Sequence, residues 1–134
     1  MQDEEFLSQF ENCTLPKEYF KHKNHLRIAW LYLIKYDLNQ AIDKVTAGIL
    51  RYATSLGAAV IYHETLTRAW IHLVNQAMRQ DGHGKTGGNF EQFITQHAYL
   101  LDKTLPNQFY SSKQLDSEQA RRSWVEPDLK PFYT

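Results

Sequence analysis

Histidines are the residues of this chain best suited to chemistry, since neutral imidazole binds metal ions and exchanges protons near neutral pH. The chain has six of them. Helical spacing puts His63 on one face with Leu66 and Trp70, where a helix normally carries its buried apolar stripe. By the same geometry His97 shares a face with Phe93. Both imidazoles are therefore predicted to point inward.

Two further histidines belong with them. His22 projects onto the apolar face of Leu26 if that helix extends back far enough, and His25 then lies one turn away at the border of the face. His72 is predicted to point opposite to His63, toward water. His83 falls in a glycine-rich loop.

Several inward imidazoles need a common solution, because burying one without a partner costs about 1–3 kcal/mol. One solution is a bound transition metal such as zinc or iron, and the other is a hydrogen-bonded polar network. The leading hypothesis is a polar pocket that binds a transition metal or a small ligand. The predicted site residues are His22, His25, His63 and His97. Tyr62 and Glu64 are predicted to orient an imidazole. A single inward histidine is more often a hydrogen-bonded core residue, so structural histidines are the alternative.

The familiar catalytic and metal signatures are absent. His63-Glu64 is followed by Thr67 where a zinc protease helix needs a second histidine, and no Glu-x-x-His pair is present. Cys13 is the only cysteine, which excludes an internal disulfide and a thiolate-based zinc site. The residues leave open whether the protein is an enzyme. A basic cluster between Lys17 and Arg27 could receive an anion, although a solvated face is the simpler interpretation.

Composition limits the partners. Lysine plus arginine and aspartate plus glutamate number 15 each, so we expect no general attraction to nucleic acid or to anionic membranes. The longest apolar run is too short to span a bilayer, and the acidic start does not resemble a signal peptide. A cytoplasmic protein is predicted. The alternative to a ligand-binding protein is a non-enzymatic interaction module with a protein partner or a homodimer.

Helices must position these side chains. Apolar spacing predicts four main helices over about 24–36, 37–56, 58–80 and 89–101, with the third beginning between 58 and 63. Asn24 is the predicted cap of the first helix, and either Asp37 or Asn39 that of the second. Gly57 is a predicted stop signal, and Asn89 with Gln92 a predicted capping box. The inner face of the fourth helix is predicted to include Leu101.

Shorter elements complete the expected fold. We expect a short helix or loop within residues 1–20, and a short helix from about 116 to 124. Prolines at 127 and 131 favour an extended tail, whose apolar residues should strap it across the other helices. The prediction is an all-α fold, a compact bundle of four main helices in one domain over residues 1–134.

Four motif blocks follow one another between about Phe20 and Pro131. They read His22-x-x-His25-Leu26-Arg27-x-Ala29-Trp30, Tyr62-His63-Glu64-Thr65-Leu66-Thr67-Arg68-Ala69-Trp70, His97-x-x-Leu100-Leu101-Asp102-Lys103, and Ala120-Arg121-x-x-Trp124-Val125-Glu126-Pro127-Asp128-Leu129-x-Pro131. This series resembles a family of small bacterial helical proteins with no established function. The chain departs from the family pattern after His97, where Ala98 and Tyr99 replace proline and glutamate, and before His25, where Asn24 replaces an acidic residue.

Overall fold

The computed structural model describes residues 1–81 and 88–133, and its regular secondary structure there is helical, with no strand. The α-helices of this part are α1 (Asp3–Glu11), α2 (His22–Lys35), α3 (Leu38–Ser55), α4 (Glu64–Gln80), α5 (Phe90–Gln96), α6 (Ser112–Leu115) and α7 (Glu118–Arg122). Short 3-10 turns occupy Lys17–Tyr19, Ala59–Ile61, Ala98–Leu101 and Leu105–Gln108. The predicted all-α fold is confirmed.

The described helices also bear on membrane insertion. Within residues 1–81 and 88–133, no helix is both long enough and apolar enough to cross a bilayer. The predicted glycine-rich loop and His83 fall on residues 82–87, outside the described part of the chain.

Helix α4 is the central element, packing against α2, α3 and α7. Its predicted apolar stripe lies in the core, where the fully buried members are Ala69, Leu73, Val74 and Ala77. Leu66 and Trp70, at the start of the same stripe, are only partly buried. The stripe therefore leaves the closed core toward the beginning of α4.

Local signals end and begin several helices as predicted. Asp37 caps α3 by accepting a hydrogen bond from the Gln40 backbone N–H at 2.8 Å. Gly57 follows α3 with a φ of +72°, a conformation that glycine adopts without steric cost. The Asn89–Gln92 capping box is present at the start of α5.

The start of α2 differs from the prediction. The helix begins at His22, and the predicted cap Asn24 lies inside its first turn. Asn24 instead donates its side-chain amide to the Tyr19 backbone oxygen at 2.6 Å, which ties the helix to the preceding 3-10 turn. The earlier start places His22 and His25 one turn apart on the same helix.

The end of the fourth predicted helix is also different. The α-helix stops at Gln96, and residues 98–101 form a 3-10 turn. Because a 3-10 turn has about 3.0 residues per turn where an α-helix has 3.6, the direction of later side chains changes. Leu100 is consequently buried, whereas Leu101 is 42% exposed.

The C-terminal tail crosses the other helices as predicted. The Leu129 backbone N–H donates to the Phe109 carbonyl at 2.9 Å, and Asp128 accepts from both the backbone N–H and the hydroxyl of Ser111. Phe132 is 5% exposed and packs on Phe109 with ring centroids 4.8 Å apart. The tail is thus part of the folded core.

Candidate functional site

A pocket of about 690 Å³ lies between α2, α3 and the beginning of α4. Its volume is typical of sites for small organic ligands. Most of its inner wall is apolar, and the side chains that form this wall are Ala29, Val45, Ile49, Ala53, Leu66 and Ile71. The partial exposure of Leu66 and Trp70 follows from this pocket, which both residues line.

His22 lines the pocket from the first turn of α2. Its Nε2 lies 2.8 Å from the Leu100 backbone oxygen, and since a carbonyl only accepts, Nε2 carries the proton. The ring also meets Trp70 edge-on at a centroid distance of 4.4 Å. Burial lowers the pKa of His22, and the nearby positive charge of Lys103 lowers it further. The imidazole is therefore neutral at neutral pH.

His25 lines the same pocket one turn along α2. Its ring packs edge-on against Phe20, with centroids 4.1 Å apart. Burial, with smaller contributions from His22 and Lys103, lowers the pKa of His25 to about 4. Its Nε2 is buried and has no hydrogen-bond partner within the described residues. Such an atom is uncommon in folded proteins.

His63 is the residue immediately before α4, where it acts as the helix cap. Its Nδ1 accepts from the Leu66 backbone N–H at 3.0 Å, and its Nε2 donates to the Leu115 carbonyl at 2.8 Å. The side chain lines the pocket as predicted. Because both ring nitrogens already have partners, His63 has none left for a metal ion in this arrangement.

His97 is buried, as predicted, but it does not line the pocket with the other three histidines. Its Nε2 lies 2.8 Å from Asp81 Oδ1, and its ring packs against Phe93 at a centroid distance of 4.9 Å. His97 still lies on the Phe93 face of α5, but none of the described residues of α5 lines the pocket. The structure thus brings together His22, His25 and His63 and places His97 elsewhere.

Tyr62 and Glu64 interact with each other. The Tyr62 hydroxyl donates to Glu64 Oε1 at 2.6 Å, and Arg68 Nη1 lies 3.8 Å from Glu64 Oε2. Within the described residues, neither side chain hydrogen bonds to a histidine, in contrast to the predicted role in orienting one. Burial, followed by the bond to Glu64, raises the pKa of Tyr62, so its phenol stays protonated. Tyr62 lines the pocket.

Two lysines give the pocket a positive end. Lys21 directly precedes His22, Lys103 lies three residues beyond Leu100, and both lysines line the pocket. None of the described lining residues is an aspartate or a glutamate. The basic cluster had included Lys21. Lys103 ends the third motif block but was not predicted as a site residue, and it follows the 3-10 turn Ala98–Leu101.

The donor set for a metal is incomplete in the described part of the chain. No group of three or more histidine, cysteine, aspartate or glutamate side chains is arranged there to hold an ion. The nearest approach to the predicted set is the pair His22 and His25 on one turn of α2.

His72 lies away from this pocket, and its predicted exposure to water is wrong. The tail covers it: Phe132 stacks on the ring at a centroid distance of 5.4 Å, and the Tyr133 hydroxyl lies 3.0 Å from His72 Nδ1. Burial, with help from Arg68, lowers the pKa of His72. Helical periodicity alone could not reveal an element that packs on the outer face of α4.

No family model, curated protein or solved structure matches this chain. The resemblance of its motif blocks to the bacterial family therefore stays a prediction.

Proposed function

We propose that this protein binds a small organic molecule in the pocket between α2, α3 and α4. The observation that carries the proposal is a cavity of about 690 Å³ that combines apolar walls with a few polar groups. Pockets of this size and composition are the usual sites of small-molecule binding, because the apolar wall supplies affinity and the polar groups supply orientation.

The polar groups are held in fixed positions. His22 and His63 are each anchored by a hydrogen bond to a backbone oxygen from a distant part of the chain. Tyr62 is anchored by Glu64. Anchored side chains lose little freedom when a ligand binds, which favours affinity and selectivity.

Pocket-filling variants test this function. Ala53 lies in the apolar wall, so Ala53→Phe should occupy part of the cavity. The probe is N-phenylnaphthylamine, an uncharged dye that fluoresces in apolar surroundings. We expect the unmodified protein to bind the dye and Ala53→Phe to weaken binding about tenfold or more, which corresponds to ~1.4 kcal/mol. Leu66→Trp provides a second blocking variant.

Leu50→Phe is the matched control, because Leu50 lies on the same helix, is 41% exposed and does not line the pocket. It should bind the dye like the unmodified protein. Thermal unfolding of each variant establishes that it is folded. Equal dye affinity in the folded blocking variants and the control would contradict ligand binding at this site.

A metal ion is the second candidate, favoured by His22 and His25 on one turn of the same pocket. Against it stand the occupied nitrogens of His63 and the separate position of His97. Elemental analysis of tag-free protein, compared with a His22→Ala/His25→Ala variant, tests this candidate. Stoichiometric zinc or iron that is lost in the variant would favour the metal over an organic ligand.

A further inference from the structure

We propose that the ligand is a small apolar molecule with a single negative charge, of the carboxylate class, whose anionic group lies at the Lys21–Lys103 end of the pocket. This inference rests on the proposed function and adds the chemistry and the orientation of the ligand. It follows from the distribution of charge and apolar surface around the cavity.

The positive charge of the two lysines is not compensated by an acidic side chain among the described lining residues. Lys21 and Lys103 line the pocket, and neither forms an ion pair within the described part of the chain. Lys21 directly precedes His22 in the chain. Lys103 follows the 3-10 turn Ala98–Leu101, whose Leu100 carbonyl accepts a hydrogen bond from the His22 ring. An anion at this end meets two ammonium groups and no lining carboxylate.

The direction of α2 adds partial positive charge at the same end. This helix of 14 residues begins at the same end of the pocket, and its first turn contains no acidic residue. The free backbone N–H groups of a helix start carry partial positive charge, which adds to that of the lysines. Helix α4 also starts near the pocket, but there Glu64 is present in the first turn and His63 already accepts from the Leu66 N–H.

The neutral state of the two histidines limits the negative charge that the pocket can balance. His22 and His25 are neutral at neutral pH, because burial lowers the pKa of both. Only the two exposed lysines then bring full positive charge, and exposed charges interact weakly in water. This suits a monoanion, such as a carboxylate, better than a strongly hydrated dianion such as a phosphate monoester.

The apolar wall of the pocket indicates an apolar body for the ligand. The rest of the lining is largely apolar and comes from α2, α3 and α4, including Ala29, Val45 and Leu66. Covering apolar ligand surface is favourable, because it removes that surface from water. A hydrocarbon chain or ring system attached to the anionic group matches this wall.

Three ligands of equal chain length test the inference: decanoate, decanol and decylammonium, each titrated below its aggregation concentration at neutral pH by calorimetry. We expect decanoate to bind about tenfold more tightly than decanol, and decylammonium to bind most weakly. The double variant Lys21→Gln/Lys103→Gln should remove the advantage of decanoate and leave decanol affinity unchanged. Raising the salt concentration should reduce the same advantage, since both lysines are exposed.

Lys23→Gln is the control, because Lys23 is an exposed lysine of α2 that pairs with Glu91 at 3.1 Å and does not line the pocket. It should retain the preference for decanoate. Equal affinity for decanoate and decanol, with both lost in Ala53→Phe, would overturn the inferred head group while the proposed function stands. Preference for decylammonium, or a preference for decanoate that survives the double variant, would also overturn it.

Discussion

At the scale of single residues, the histidines differ in what their ring nitrogens do. His63 uses one nitrogen to cap α4 and the other to hold the Leu115 carbonyl. His22 holds a carbonyl on one side of the pocket, and His97 pairs with Asp81 away from it. Only His25 keeps a buried nitrogen without a partner in the described residues. An inward direction therefore does not determine a common role.

The double use of His63 leads to a prediction about its replacements. His63→Ala removes the helix cap and the bond to Leu115, so it should lower the free energy of unfolding by about 1–3 kcal/mol. His63→Asn keeps an oxygen that can accept from the Leu66 N–H, and it should lose only about 1 kcal/mol. Urea unfolding followed by circular dichroism measures both values. An asparagine variant as unstable as the alanine variant would contradict the capping role.

At the scale of secondary-structure elements, the sequence predicted best where a local rule applies. Asp37, Gly57 and the Asn89–Gln92 box act through backbone groups within a few residues, so their positions in the chain suffice. Helical periodicity correctly placed His22 and His25 on an inner face, because both lie within the regular helix α2. His63 also lines the pocket, but it does so as the extended cap residue before α4.

The local rule failed at Asn24, which lies inside the first turn of α2 and does not cap it. The other predictions failed where an element changes its period or where a distant element packs on it. The change from α-helix to 3-10 turn after Gln96 moved Leu101 outward. Lys103 follows the same turn and lines the pocket, although it was not predicted as a site residue. The cover over His72 comes from a tail that is about sixty residues further along the chain. Neither effect is visible in the spacing of nearby residues.

The C-terminal tail is expected to stabilise the fold. Phe132 is 5% exposed and packs against Phe109 and the ring of His72. Phe132→Ala should therefore cost about 3–5 kcal/mol of unfolding free energy, as for other buried aromatic residues. Leu129→Ala is the control, because Leu129 belongs to the same tail but is 56% exposed, and it should cost far less. Similar urea midpoints for the two variants would mean that the tail does not stabilise the fold.

At the scale of the whole molecule, burial of several imidazoles links stability to pH. His22, His25 and His72 lie on two helices and in two different environments, yet burial is the largest cause of a lowered pKa at each. In the unfolded chain each would have a pKa near 6.5. The folded protein therefore binds fewer protons than the unfolded chain at mildly acidic pH.

The sign of the effect follows from that difference. Stability rises with pH wherever the unfolded state binds more protons, so the fold should lose stability as the pH falls below about 6.5. Each histidine contributes at most about 1.4 kcal/mol per pH unit, and for His25 the loss should continue until its folded pKa of about 4 is reached. Asp102 and Asp128 act in the same direction, but only below the ordinary carboxyl pKa of 3.8. The interval between about pH 4.5 and 6.5 consequently reports on the histidines.

Urea unfolding across this interval tests the linkage. We expect the unfolding free energy of the unmodified protein to fall steadily as the pH is lowered. The unfolding free energy of His25→Leu should fall less steeply, with a slope smaller by up to about 1.4 kcal/mol per pH unit. The leucine side chain fills similar space beside Phe20 and cannot bind a proton. At neutral pH, where His25 is neutral, the two proteins should differ mainly through packing. Parallel pH profiles for the two proteins would show that His25 remains protonatable in the folded state, against the buried environment described for it.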